Sequence, residues 1–135
     1  MTFGFNDIWV LQSVFHMEEK NKGAELSKII AYADYVNRAI VTYEELVNGL
    51  TKMSEIGLII QKENHFQTSA KFKSWYAKKF KGKKRIYYST EQKEVLKFLQ
   101  TKFSDINLKQ TESISLSKEE YQLAVKAYRS NGQNT

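Results

Sequence analysis

Hydrophobic positions recur along the chain in blocks whose spacing changes from helical to extended and back. Over Asp7 to Glu19 the residues Ile8, Val10, Leu11, Val14, Phe15 and Met17 form a wide apolar face, which predicts a helix with a cap at Asn6 or Asp7. Asn21-Lys22-Gly23 interrupts it, and Leu26, Ile29, Ile30, Ala33 and Val36 then repeat at the spacing of a second helix closed by Asn37-Arg38. Ala39-Ile40-Val41 reads as a short extended connection. A third helix is delimited at both ends. Thr42 with Glu45 makes a T-x-x-E capping box, Val41 and Leu46 are spaced as a hydrophobic staple, and Gly57 suits the left-handed position after the last turn, with Leu58 able to touch Met53.

From Leu58 the pattern becomes extended. Leu58, Ile59 and Ile60 start a strand, Glu63-Asn64 marks a turn, and His65-Phe66-Gln67-Thr68 returns as the second half of a hairpin. Helical spacing resumes near Ser69, where Phe72, Trp75, Tyr76 and Phe80 share one face of a fourth helix ending before Gly82. Ser89 with Gln92 predicts a capped fifth helix whose inner face is Gln92, Val95, Leu96, Leu99 and Phe103. Residues 104 to 116 are polar and irregular. Ser117 with Glu120 opens a sixth helix carrying Tyr121, Ala124, Val125 and Tyr128, and residues 131 to 135 read as a frayed tail. The expected fold is mainly α with a small β-hairpin, in one domain of 135 residues: a core over 8 to 68 and appended helices over 69 to 130.

The order helix, helix, short strand, capped helix, glycine, hairpin resembles the winged helix-turn-helix of bacterial regulators. The likeness is tightest from Thr42 to Thr68. It implies that the third helix enters a DNA major groove and that the hairpin touches the backbone or minor groove. Asn48, Thr51 and Lys52 would then read bases, while Lys62 and His65 would lie at the wing. It also implies that the first helix and the C-terminal helices are homodimer surfaces, because such regulators pair through elements outside the core. Winged helices also serve as protein-interaction modules, so double-stranded DNA and a protein partner both stand as expectations.

Charge alters that picture. Residues 71 to 85 hold eight Lys or Arg and no acid, against a balance of −2 elsewhere in a chain of net charge +6. The outward face of the third helix, by contrast, carries Glu44, Glu45 and Glu55 beside the single Lys52. Duplex affinity comes mainly from neutralised phosphates, so an acidic face opposes docking in a groove. The basic stretch is the better phosphate candidate, through Lys71, Lys73, Lys78, Lys81, Lys83, Lys84 and Arg85. At 100° per residue its aromatics cluster opposite Lys73, Lys78 and Lys81, which makes them core; Lys79 falls in the apolar arc, where its stem can snorkel. A phosphate-contacting patch and a merely solubilising face fit that segment equally. Ile86-Tyr87-Tyr88 suits extra stacking or a short buried strand.

Chemistry is narrow. No cysteine is present, His16 and His65 are far apart, and no phosphate loop or metal-ligand spacing occurs, so neither a metal nor a cofactor is expected. Ser13-x-x-His16 is the nearest approach to a nucleophile and base, and it has no orienting carboxylate in the sequence. An enzyme is not expected. No apolar run approaches the roughly 18 residues of a membrane span. The first seven residues lack an export pattern, and the expected location is cytoplasmic.

Overall fold

The computed structural model describes residues 2–104 and 114–133, with side chains as far as Ser130. It is mainly helical, with six helices and a small antiparallel sheet among these residues. Helix α1 spans Phe5–Met17, strand β1 Ala24–Glu25, α2 Leu26–Asn37, α3 Tyr43–Glu55, β2 Ile59–Lys62, β3 His65–Thr68, α4 Ala70–Lys79, α5 Tyr88–Phe103 and α6 Lys118–Gln133. The strands lie in the order β1-β3-β2, with Ala24 opposite Phe66 and Ile59 opposite Thr68.

Helix α3 forms as its ends dictate. Thr42 Oγ1 accepts the Glu45 amide at 3.2 Å, and Glu45 accepts the Thr42 amide at 3.0 Å. At the far end Gly57 adopts φ +78°, the Leu58 amide donates to Met53 and the Gly57 amide to Ser54, which completes the Schellman pair. Its inner residues Leu46, Leu50 and Met53 are fully buried. Gly49 faces α1 so closely that a Cβ there would lie 2.7 Å from Val10 Cγ2. A backbone without a side chain at this position is what lets the two helices approach.

Strand β1 has no counterpart in the sequence reading, which placed the extended piece at Ala39 to Val41; that connection has no strand pairing. Two residues are too few to show alternation, and only pairing with β3 makes them a strand. Gly23, at φ +77°, leads into β1, and its missing Cβ would fall 2.8 Å from the Phe66 carbonyl oxygen.

Three boundaries differ from expectation. Helix α1 starts at Phe5 after Gly4, not after Asn6 or Asp7, because the Asp7 carboxylate reaches back to accept the Gly4 amide at 2.8 Å. Helix α5 starts at Tyr88 with Tyr87 as an uncapped N-cap, so the Ser89–Gln92 box does not form and Ile86 to Tyr88 make no strand. The reason is inward: Glu91, placed on no face by the sequence reading, is buried and pulls the first turn against α1. The sixth helix keeps its expected box, Ser117 with Glu120, and runs to Gln133 where a frayed tail was expected. The expected irregular stretch falls largely on 105–113, and the end of the tail on 134–135, both outside the described residues.

The appended helices are held to the core in two ways. Helices α4 and α5 join it through aromatic packing: Phe72 meets Phe15 and Phe98 at 5.4 and 6.0 Å between centroids, and Trp75 stacks on Phe98 at 4.6 Å. Helix α6 packs on α2 through the partly buried Tyr121, Ala124, Val125 and Tyr128, and hydroxyls add to the hold. Tyr121 donates to the Val41 carbonyl and Tyr128 to Asp34, while Tyr43 of α3 donates to the Leu116 carbonyl ahead of α6. None of the α6 side chains described is fully buried.

Candidate nucleic-acid interface

The expected base-reading residues of α3 do not share one environment. Asn48 is exposed and Thr51 half-buried. Lys52 is not free on the outer face: its Nζ lies 2.9 Å from Asp7 Oδ2, 2.5 Å from the Thr2 carbonyl and 5.2 Å from the Phe3 ring centroid. The lysine stem reaches back along the helix to the start of α1, where a buried carboxylate needs a counter-charge. With Lys52 so engaged, the outer face is left with Glu44, Glu45 and Glu55, of which Glu45 is held in the capping box. At the hairpin, Lys62 is exposed and His65 sits 3.9 Å from Glu25.

The basic segment is different. Two of its eight cations are paired: Lys73 with Glu18 at 3.3 Å and Lys79 with Glu94 at 3.1 Å. Lys71, Lys78, Lys81, Lys83, Lys84 and Arg85 are exposed and form no salt bridge among the described residues, although the charge of Lys83 is felt at Glu94. Lys71 lies over the Phe103 ring at 4.9 Å, Lys83 over Phe80 at 5.8 Å and Arg85 over Tyr87 at 5.5 Å. As the helical wheel required, Phe72 and Phe80 are buried and Trp75 and Tyr76 half-buried.

What fixes this segment is a carboxylate. Glu91, 3% exposed, accepts from Gln12 Nε2 at 2.8 Å and from the Tyr76 hydroxyl at 2.5 Å, and its Oε1 lies 2.6 Å from His16 Nε2. It thereby binds α1, α4 and α5 at one point, immediately after the basic loop. Burial pushes its acidity down, but the His16, Tyr76 and Gln12 hydrogen bonds outweigh burial, so its pKa lies below the ordinary carboxylate range. Burial and the charge of Glu91 raise the neighbouring Tyr32 to about 12, and burial with the Glu91 hydrogen bond raises Tyr76 as well. His16 also stacks on Tyr32 at 5.2 Å. Ser13 turns away, donating to the Trp9 carbonyl at 2.6 Å, so Ser13 and His16 do not act on each other. Among the described residues no cluster of three or more His, Asp or Glu is placed to hold a metal.

No family model, curated protein or solved structure matches the chain. Helix α3 meets α1 at Asp7 and Val10, whereas α5 meets it at Gln12 and His16. Val10 and Gln12 stand about 200° apart around a helix at 100° per residue. Helices α3 and α5 therefore pack on opposite sides of α1.

Glu91 and the interior helix crossing at Gly49 escaped the sequence reading. An acid is assigned to the surface unless a partner is visible, and the partners of Glu91 are more than 70 residues away in Gln12 and His16. The signal was faint: Glu91 stands one residue before Gln92 and four before Val95, on the buried side of an otherwise regular apolar stripe.

Proposed function

We propose that this chain is a DNA-binding protein of winged-helix type whose grip on phosphate is made by α4 and the loop that follows it, not by α3. The observation that carries the reading is the set of six exposed cations between Lys71 and Arg85 that form no salt bridge among the described residues. The winged-helix part is supported by the element order α1, β1, α2, α3, β2, β3, with the hairpin following the capped third helix and β1 joining its inner strand.

Binding to mixed genomic DNA across a salt series tests it. The parent should lose affinity steeply as salt rises. Replacing Lys78, Lys81, Lys83, Lys84 and Arg85 together by Ala should weaken binding and flatten the slope by roughly 0.9 for each phosphate no longer neutralised. These side chains are exposed, so the variant should fold as the parent does. Equal, weak binding by both proteins removes the proposal.

A second reading has its own observation. With Lys52 held by Asp7, the outer face of α3 is acidic around the exposed Asn48, which suits a basic protein surface better than a groove in DNA. On this reading the chain is a winged-helix interaction module, and replacing Glu44 and Glu55 by Lys abolishes partner binding without altering the salt series.

A further inference from the structure

Two aromatic rings next to the basic loop are unlike the others on these helices. Phe72 and Phe80 are buried, and Trp75 and Tyr76 are half-buried in the packing between α4 and α5, but Tyr87 and Tyr88 are 64% and 51% exposed. They follow directly on Lys81, Lys83, Lys84 and Arg85, and the Arg85 guanidinium already lies 5.5 Å from the Tyr87 ring. The backbone beneath them is anchored. Gly82 turns the chain at φ +78°, with the Lys83 amide donating to the Phe80 carbonyl. The Glu91 amide donates to the Tyr87 carbonyl at 3.0 Å, and the buried Gln12 amide reaches the Tyr88 carbonyl at 3.5 Å. The rings are thus carried on a positioned turn and offered to solvent beside exposed cations, with the Glu91 carboxylate of the next turn buried.

We infer that residues 78 to 88 form a binding surface for unpaired nucleic acid, with Lys78, Lys81, Lys84 and Arg85 contacting the phosphates and Tyr87 and Tyr88 stacking on bases. This rests on the phosphate-binding reading above and adds to it the state of the strand. In a duplex the faces of the bases are covered by their neighbours, so exposed rings gain nothing from it beyond the phosphates. A single strand presents those faces, and an aromatic ring flanked by cations takes them without regard to sequence. A protein partner also uses tyrosines, but the six exposed cations over 71 to 85 that form no salt bridge among the described residues favour a polyanion.

The test is fluorescence anisotropy with a labelled oligothymidylate and a duplex of the same length at one salt concentration. The proteins are the parent, Tyr87→Ala with Tyr88→Ala, Tyr87→Phe with Tyr88→Phe, and the variant with Lys78, Lys81, Lys83, Lys84 and Arg85 all replaced by Ala. Thermal unfolding first checks that each is folded. The parent should bind the single strand more tightly than the duplex. The double Ala variant should lose at least about fivefold in single-strand affinity for each stacked ring, the double Phe variant should retain it, and duplex binding should change in neither. If the double Ala variant matches the parent on the single strand while the lysine and arginine variant loses binding, stacking is overturned and the phosphate reading stands. A parent that prefers the duplex overturns stacking as well. A parent that binds neither strand form, or a lysine and arginine variant equal to it, overturns both.

Discussion

His16 Nε2 of α1 lies 2.6 Å from Glu91 Oε1 of α5, across 75 residues of sequence. The same carboxylate receives Gln12 and Tyr76, so the buried charge has exchanged water for three protein donors. A charge is tolerated in an interior only on those terms. The position of the basic loop relative to the core depends on this exchange, because Glu91 lies on the first turn after it.

Glu91→Ala should therefore destabilise the protein by about 1–3 kcal/mol, since it leaves the buried Gln12 amide and the half-buried Tyr76 hydroxyl without their acceptor, while the exposed His16 can turn to water. Urea denaturation measures this, and a loss below about 1 kcal/mol would mean that water replaces the carboxylate. Because the folded pKa is lowered, the contribution of Glu91 is complete above the ordinary carboxylate value, about 4.3, and is lost as the pH falls through the lower folded value. The stability gap between the parent and Glu91→Gln should accordingly be widest near neutrality and narrow in acid.

Gly49→Ala should destabilise by about 1–3 kcal/mol, because the added methyl would meet Val10 at 2.7 Å in a fully buried contact. Val10 is β-branched and stiff in a helix, so it does not swing aside. Combining Gly49→Ala with Val10→Ala should show a favourable coupling in denaturant melts. Strict additivity of the two would place the strain elsewhere.

The two ends of α3 should act independently. Thr42→Ala removes the cap and Gly57→Ala imposes a side chain on a left-handed residue with open space around it, each costing about 1 kcal/mol. They stand about 20 Å apart along a helix of 13 residues, so the double variant should equal the sum within about 0.5 kcal/mol in thermal unfolding.

The legible features of the sequence are those that local physics controls. The Thr42–Glu45 box, the Gly57 terminus, the hairpin turn and the Ser117–Glu120 box each involve groups within a few residues of one another, and they form as their residue types require. The sorting of Phe72 and Phe80 inward and Lys78 and Lys81 outward also follows from a period of 3.6. What failed was local inference carried past its range: the Ser89–Gln92 box had the right residues, but a buried contact of Glu91 set the start of α5.

The chain alone thus determined its helices, its hairpin and the excess of positive charge in residues 71 to 85, because periodicity, caps and composition are properties of short segments. Only the tertiary structure decided which charges are spent. Lys52, Lys73 and Lys79 are taken by Asp7, Glu18 and Glu94, while Lys78, Lys81, Lys84 and Arg85 remain uncompensated among the described residues. It also set α3 and α5 on opposite sides of α1. Ion pairing and facing depend on side chains brought together across the fold, and a Coulomb interaction depends on distance in space, to which separation along the chain is no guide.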